Sequence, residues 1–289
     1  MLQGNAFLVL CNLLVLYMQY ISGLVVILLV ILVSAIVFFY IVITIIEPLY
    51  IYSFGKPIYV HFYLFPKKLN FSESTLLQVN FKFYSNLTEK KKTYFDHRVQ
   101  KFINRYSFEG REGLQVTQEM KLKIAGTAIM LTFGMRNYLS GSYKTIVIYP
   151  DIYKSGNGNY HKGEFNPGQG EVVFSWAHFN ESLIVKNDNL NLGIHEFTHV
   201  MHIDAVRKRA KASAAVYSDM FAKILHYLSD ENNRQHLIAI GYLREYAYTN
   251  THEFIAVILE HFFETPETFK KHLPELYEMI RIMINFNDK

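Results

Sequence analysis

Residues 1–46 contain no Asp, Glu, Lys, Arg or His, and the first charged side chain is Glu47. Residues 21–46 are apolar apart from small or mild interruptions at Ser22, Gly23, Ser34 and Thr44. About 20 apolar residues, at 1.5 Å each, cross a hydrocarbon core of about 30 Å, so this run predicts a transmembrane helix. Residues 7–17 are apolar too, but are broken by Asn12 and followed by Gln19. One long helix projecting from the bilayer is favoured over a hairpin turning near Ser22 and Gly23, whose first leg would be short. No Lys or Arg precedes the run, and the run is too long for a cleavable signal peptide.

The pattern changes after the apolar stretch. Residues 57–66 are aromatic and flanked by Pro57 and Pro66, as in a connector at a membrane interface. Residues 85–89 read as a helix start, with Ser85, Asn86 and Thr88 as caps and Glu89 in an early turn. The helix that follows places Tyr94, Phe95, Val99, Phe102 and Ile103 on one face. Lys90, Lys91, Lys92, Arg98 and Lys101 lie outside it as a solvated surface. Gly110 and Gly113 end this element, and residues 116–133 predict another helix containing Gly126. Residues 144–149 and 171–176 read as strands. Between them residues 155–170, with five glycines, read as an exposed loop. Residues 190–286 are helical by periodicity, with breaks near 230–233, 248–251 and 265–266. The expected fold is α+β: an N-terminal transmembrane helix, then a mostly helical domain with a small β-sheet. The boundaries fall at residues 1–50 for the anchor, 51–84 for the connector and 85–289 for the domain.

Composition narrows the class. The charged share is 19 %, below the roughly 25 % usual for soluble domains, and the deficit lies in the apolar segment. The net charge of +4 forms no basic stripe, which argues against nucleic acid as a partner. The single cysteine, Cys11, lies inside the apolar run, so neither an internal disulfide nor a cysteine metal cage is expected. Nothing basic precedes the span, whereas Lys56, Lys67 and Lys68 follow it. The positive-inside bias therefore puts the bulk of the chain in the cytoplasm, behind a single-pass anchor.

The chemistry centres on His195-Glu196-Phe197-Thr198-His199. Residues four apart share a helix face, so both imidazoles reach one ion, and Glu196 is placed to act as general base toward a metal-activated water. From 12 His and 25 acidic residues, the number of such patterns expected by chance is about 0.04. Leu192, Ile194, Phe197 and Val200 supply apolar packing for the helix. A catalytic zinc wants a third protein ligand and an open fourth position. His202 and Asp204 project away from the first two histidines. A helix beginning after Thr249-Asn250 carries Glu253 in its first turn, where the residue is equally well read as a ligand or as half of a capping box with Asn250. Glu260 shares a face with Glu253 and is a rival ligand, and Glu264 lies on the same helix.

These residues, with Leu243-Arg244-Glu245-Tyr246-Ala247, residues 253–257 and 260–264, resemble the MtfA zinc-peptidase family. Residues 148–150, 172–176 and 274–277 are similar as well, and the resemblance spans roughly residues 85–286. The family prototype is a cytosolic metallopeptidase that also binds a glucose-regulated transcriptional repressor. The spacing from Tyr246 through Thr249 and Asn250 to Glu253 and Phe254 is similar to the zinc site of the anthrax lethal factor peptidase domain. That similarity implies Glu253 as the third ligand and Tyr246 as a catalytic tyrosine holding the oxyanion.

The family usually carries Asp three residues after the second histidine, whereas here that position is His202. The prototype also lacks a membrane segment. The function expected is hydrolysis of peptide bonds in a peptide or protein substrate, with Zn2+ held by His195, His199 and Glu253. The alternative is a membrane-tethered, non-catalytic module that sequesters a regulatory protein. An extended substrate is expected to add as a strand beside residues 172–176.

Overall fold

A computed structural model describes residues 2–155, 158–207 and 211–286, with the backbone alone for residues 2–12. The side chain of Cys11, and Gly156 and Asn157 of the glycine-rich loop, lie outside the described residues. The chain divides into two units, residues 1–54 and 55–289.

The first unit is helical throughout its described residues. Helix α1 (Leu2–Ile41) passes through a π-helical turn (Val42–Ile46) into α2 (Glu47–Phe54). The chain does not turn back at Ser22 and Gly23, where the Ser22 hydroxyl simply donates to the Gln19 carbonyl at 2.8 Å. From Leu13 to Phe54 these 42 residues form a helix long and apolar enough to cross a membrane.

The second unit opens with α3 (Phe71–Asn80), α4 (Lys82–Ser85) and α5 (Glu89–Arg105), followed by β1 (Ser107–Gly110) and α6 (Gln118–Thr132). Asn70 and Glu73 form a reciprocal capping box on α3, and Thr88 and Thr117 cap α5 and α6. Leu77, Phe81 and Tyr84 join the main core, so folded structure begins well before residue 85. Inside α6, a Cβ on Gly126 would sit 2.6 Å from the Phe81 ring, and only glycine permits that approach.

Two elements here differ from the sequence reading. Helix α5 ends at Arg105, and after Tyr106 the residues Ser107–Gly110 pair as a strand. Arg98, expected in solvent, is fully buried. Its guanidinium donates to the carbonyls of Thr132 and Phe133 at the C-terminus of α6, to the Val60 carbonyl and to the Tyr63 hydroxyl. It also lies 4.3 Å from the centre of the Tyr138 ring. A helix C-terminus carries partial negative charge, so carbonyls and ring faces satisfy this cation where periodicity alone would place it outside.

The sheet follows, with β2 (Thr145–Tyr149), β3 (Tyr153–Lys154), β4 (Tyr160–His161), β5 (Gly163–Asn166) and β6 (Glu171–Ser175). Its order is β1-β2-β6-β5, parallel except for the antiparallel β5–β6 pair, while β3 and β4 form a separate ribbon. Ile146, Ile148, Val172 and Phe174 turn one face into the helical core. Val147, Val173 and Tyr153 form a small cluster on the other. The stretch expected as an exposed loop thus holds β4 and the edge strand β5. Trp176, read as strand, begins α7 (Trp176–Ile184), which Ser175 caps.

The remaining helices are α8 (Leu192–Arg207), α9 (Ala212–Ser229), α10 (Glu231–Ile240), a 3-10 turn (Glu245–Tyr248), α11 (Thr251–Glu264), α12 (Pro266–His272) and α13 (Pro274–Met283). Ile194, Phe197, Val200 and Met201 of α8 and residues 254–259 of α11 are buried. The two helices pack against each other, and α8 also packs against β5 and β6. The mostly helical body with a small sheet is the architecture expected from the sequence.

Candidate active site

Asn191 begins α8 by accepting a hydrogen bond from the Ile194 backbone N–H at 3.0 Å. One turn on, His195 and His199 project from the same face, with ring centres 4.9 Å apart. Helix α11 approaches them from its own N-terminus. Asn250 caps that end by accepting from the backbone N–H groups of His252 and Glu253, and the Glu253 carboxylate turns toward the histidines. Glu253 Oε2 lies 3.0 Å from His195 Nε2 and 3.7 Å from His199 Nε2. One donor atom from each of the three residues lies within 4.8 Å of the others.

The donor set fits a divalent cation. Zinc bound by nitrogen and oxygen at 2.0–2.1 Å in a tetrahedron spaces neighbouring ligand atoms about 3.3 Å apart, and the two observed separations bracket that value. Glu253 Oε2 is buried and satisfies no hydrogen-bond geometry with either imidazole, as expected of an atom positioned for an ion rather than a proton donor. The set is two imidazoles and one carboxylate, which suits zinc.

Glu260 lies on the far side of His195. Its carboxylate is 2.7 Å from His195 Nδ1, accepts from the Asn191 backbone N–H at 3.0 Å, and is gripped at both oxygens by Arg244, at 3.0 and 2.8 Å. Arg244 also donates to the Asn189 carbonyl. Glu264 accepts from the Asn189 backbone and the Asn191 side chain, and burial pushes its carboxyl up to about 7. His202 packs between Tyr217, Phe221 and His252, and Asp204 accepts from Ser142. Both point away from the cluster, as the spacing predicts.

Electrostatics separate the two histidines. Burial opposes charge on His195, but its acidic partners Glu253 and Glu260 outweigh that and raise it to about 10. His199 is pulled down to about 4 by burial and by the neighbouring His195 charge. Burial alone would raise Glu253, yet the two histidines hold it below the usual carboxylate range. Glu196 is buried, and desolvation pushes it up to about 7.

Glu196 faces the edge strand. A Cβ on Gly163 would sit 3.0 Å from Glu196 Cγ and Oε1 and 2.7 Å from Leu192 Cδ1, so glycine lets β5 approach the carboxylate. Tyr246, in the 3-10 turn, is 49 % exposed. Its ring centre is 5.9 Å from that of His195, and burial, with the neighbouring Glu253 charge, raises its phenol to about 12. These groups border a cleft of about 410 Å³, whose lining includes Gly163, His195, Glu196, Arg244 and Tyr246.

All five residues singled out from the sequence therefore meet in one place. The site also contains Glu260 in a different position from the rival ligand expected, together with Arg244, Asn191 and Gly163, which spacing did not mark. Strand addition beside residues 172–176 is overturned, because β6 is paired on both sides by β2 and β5 and Val172, Phe174 and Ser175 are fully buried.

The family model described as glucose-regulated metallo-peptidase M90 matches residues 64–283. The chain is also 24 % identical over 266 residues to an uncharacterized protein of Synechocystis sp., an alignment covering 83 % of this chain and 94 % of that protein. The chain belongs to the M90 metallopeptidase family, in agreement with the resemblance read from its motifs.

Proposed function

We propose that the chain is a zinc-dependent peptidase held to a membrane by its N-terminal helix, with the folded unit on the cytoplasmic side. The observation that carries this reading is the convergence of His195 Nε2, His199 Nε2 and Glu253 Oε2 from two helices far apart in sequence. A buried glutamate and a phenol lie beside them, and a purely structural metal site has no use for either.

In this reading His195, His199 and Glu253 would hold the ion. Zinc bound there supplies a Lewis acid that acidifies water and polarises a carbonyl oxygen. Glu196 takes the proton of the attacking water and passes it to the departing amine. The Tyr246 phenol donates a hydrogen bond to the oxyanion of the tetrahedral intermediate. Glu260 accepts the His195 Nδ1–H, which directs the Nε2 lone pair toward the ion, and Arg244 fixes Glu260 in turn. A peptide entering the cleft runs beside β5, whose outer edge is unpaired within the sheet and offers backbone hydrogen bonds that are indifferent to sequence.

The anchoring rests on the 42-residue apolar helix and the orientation on Lys56, Lys67 and Lys68 after it. The test of catalysis is cleavage of a quenched peptide library by the purified full chain, with and without a chelator. Glu196→Gln retains zinc and loses hydrolysis. Full residual activity in that variant contradicts the mechanism, and stoichiometric zinc without cleavage by the parent protein favours the non-catalytic module.

A further inference from the structure

Burial along residues 58–71 runs against the usual order. Phe65 is 89 % exposed, Phe71 87 %, Leu64 75 % and Phe62 71 %, with Ile58 and Tyr59 also exposed. The backbone that carries them is tightly held. Buried Arg98 donates to the Val60 carbonyl and, at 2.7 Å, to the Tyr63 hydroxyl. Arg136 donates to the Tyr59 carbonyl at 2.8 Å, and its guanidinium stacks 3.7 Å from the centre of that ring. Farther along, His97 accepts from the Lys67 backbone, Asp96 from the Leu69 backbone, and Gln100 donates to the Lys68 carbonyl. His61 and Tyr63 turn inward against Tyr94 and His97, which turns the alternating Phe62 and Leu64 outward, next to exposed Phe65.

Holding a segment this firmly while presenting its largest apolar groups to water costs hydration free energy unless something covers them. Exposed Lys56, Lys67 and Lys68 flank the patch. Aromatic side chains bordered by lysines are the composition of a surface seated at a bilayer interface and drawn to anionic headgroups. Chain connectivity supplies the proximity: Ile58 is four residues beyond Phe54, the last residue of the membrane-length helix. That link reaches at most about 14 Å.

We propose that residues 58–71 form a lipid-docking face, which rests on the reading of the first unit as a membrane anchor. Phe62, Leu64, Phe65 and Phe71 enter the headgroup region, and the three lysines meet anionic phospholipid. Buried Arg98 is a positioning residue for that face. Its hydrogen bonds keep the strip rigid, so the aromatic groups are presented together to lipid.

The experiment uses the full chain in vesicles of phosphatidylcholine, with and without phosphatidylglycerol. In a Cys11→Ser background, Phe65→Cys, Phe71→Cys and, as a distant exposed control, Ile238→Cys each carry a nitroxide. These positions are already solvent-exposed, so the substitutions leave the core intact. The expected result is a several-fold higher ratio of oxygen to nickel-chelate accessibility at 65 and 71 than at 238, reduced by Lys67→Glu/Lys68→Glu in anionic vesicles only.

Equal accessibility at all three positions, in chains that sediment with the vesicles, overturns the docking face and leaves the anchor intact. Chains that fail to sediment with vesicles overturn both. Protection that appears without lipid and grows with protein concentration shows that a second copy covers the patch, and overturns the proposal.

Discussion

Replacing Glu260 by Gln tests the architecture behind the metal ligands. Glu260 is 1 % exposed, and its carboxylate serves His195 Nδ1, the Asn191 N–H and both terminal nitrogens of Arg244. Glutamine keeps the volume and one acceptor, but it removes the charge and turns an amide N–H₂ toward donors that then lose their acceptor. Breaking one partner of a buried ion pair costs about 3–5 kcal/mol. Arg244 retains some exposure and its bond to the Asn189 carbonyl, so the lower end of that range applies. At about 2–4 °C per kcal/mol for a unit of this size, about 3 kcal/mol lowers Tm by roughly 6–12 °C. The second readout is zinc affinity by competition with a chromophoric chelator, because loss of a carboxylate behind a ligating histidine typically weakens metal binding about 10–100-fold. The two readouts separate the roles. Glu260→Gln weakens zinc and keeps some binding, whereas Glu253→Ala loses far more zinc with a smaller loss of Tm. Unchanged Tm and unchanged zinc affinity in Glu260→Gln refute this reasoning, and a larger zinc loss there than in Glu253→Ala transfers the ligand role to Glu260.

Two other outcomes follow from packing and burial. Gly163→Val drives side-chain atoms into Glu196 and Leu192; overpacking of about 1–3 kcal/mol displaces the base, so peptide hydrolysis falls at least tenfold while zinc content stays at the parent level. Preserved turnover in that variant contradicts the close approach of β5. His61, stacked on Tyr94 and near Phe133, is held down to about 3 by burial, with Arg98 and Lys91 adding repulsion. Its folded value lies below the unfolded 6.5, so the unfolded chain binds the extra proton. The contribution of His61 is therefore fully present above about pH 6.5 and is lost as pH falls through 6.5 toward 3. His61→Phe makes the urea midpoint less sensitive to pH between 7.5 and 5 than in the parent protein, and an identical pH slope in both proteins rules this out.

Much of the site was legible because its chemistry is local. His195, Glu196 and His199 sit on one helical turn, and Glu253 lies three residues after a cap that the chain needs anyway. What escaped was set by distant partners. Glu260 shares a helical face with Glu253, and spacing cannot tell that Arg244 and Asn191 hold it against the other nitrogen of His195. Strand β5 is short and lies in a glycine-rich stretch, so local propensity reads it as a loop. It is a strand because β6 supplies its hydrogen bonds, and glycine at 163 is required by Glu196 rather than by a turn. Charge alone places Arg98 in solvent, yet the carbonyls ending α6 and the chain near residues 60–63 satisfy it inside. Trp176 continued a β-like pattern, but the Ser175 cap starts a helix there.

The central claim is tested most directly by zinc content and zinc-edge X-ray absorption of the full chain, parent against Glu253→Ala. The account predicts one zinc per parent chain in a nitrogen and oxygen shell containing two imidazoles, and a variant that loses most of its zinc. A parent protein without stoichiometric zinc, or a Glu253→Ala variant with an unaltered shell and affinity, contradicts it.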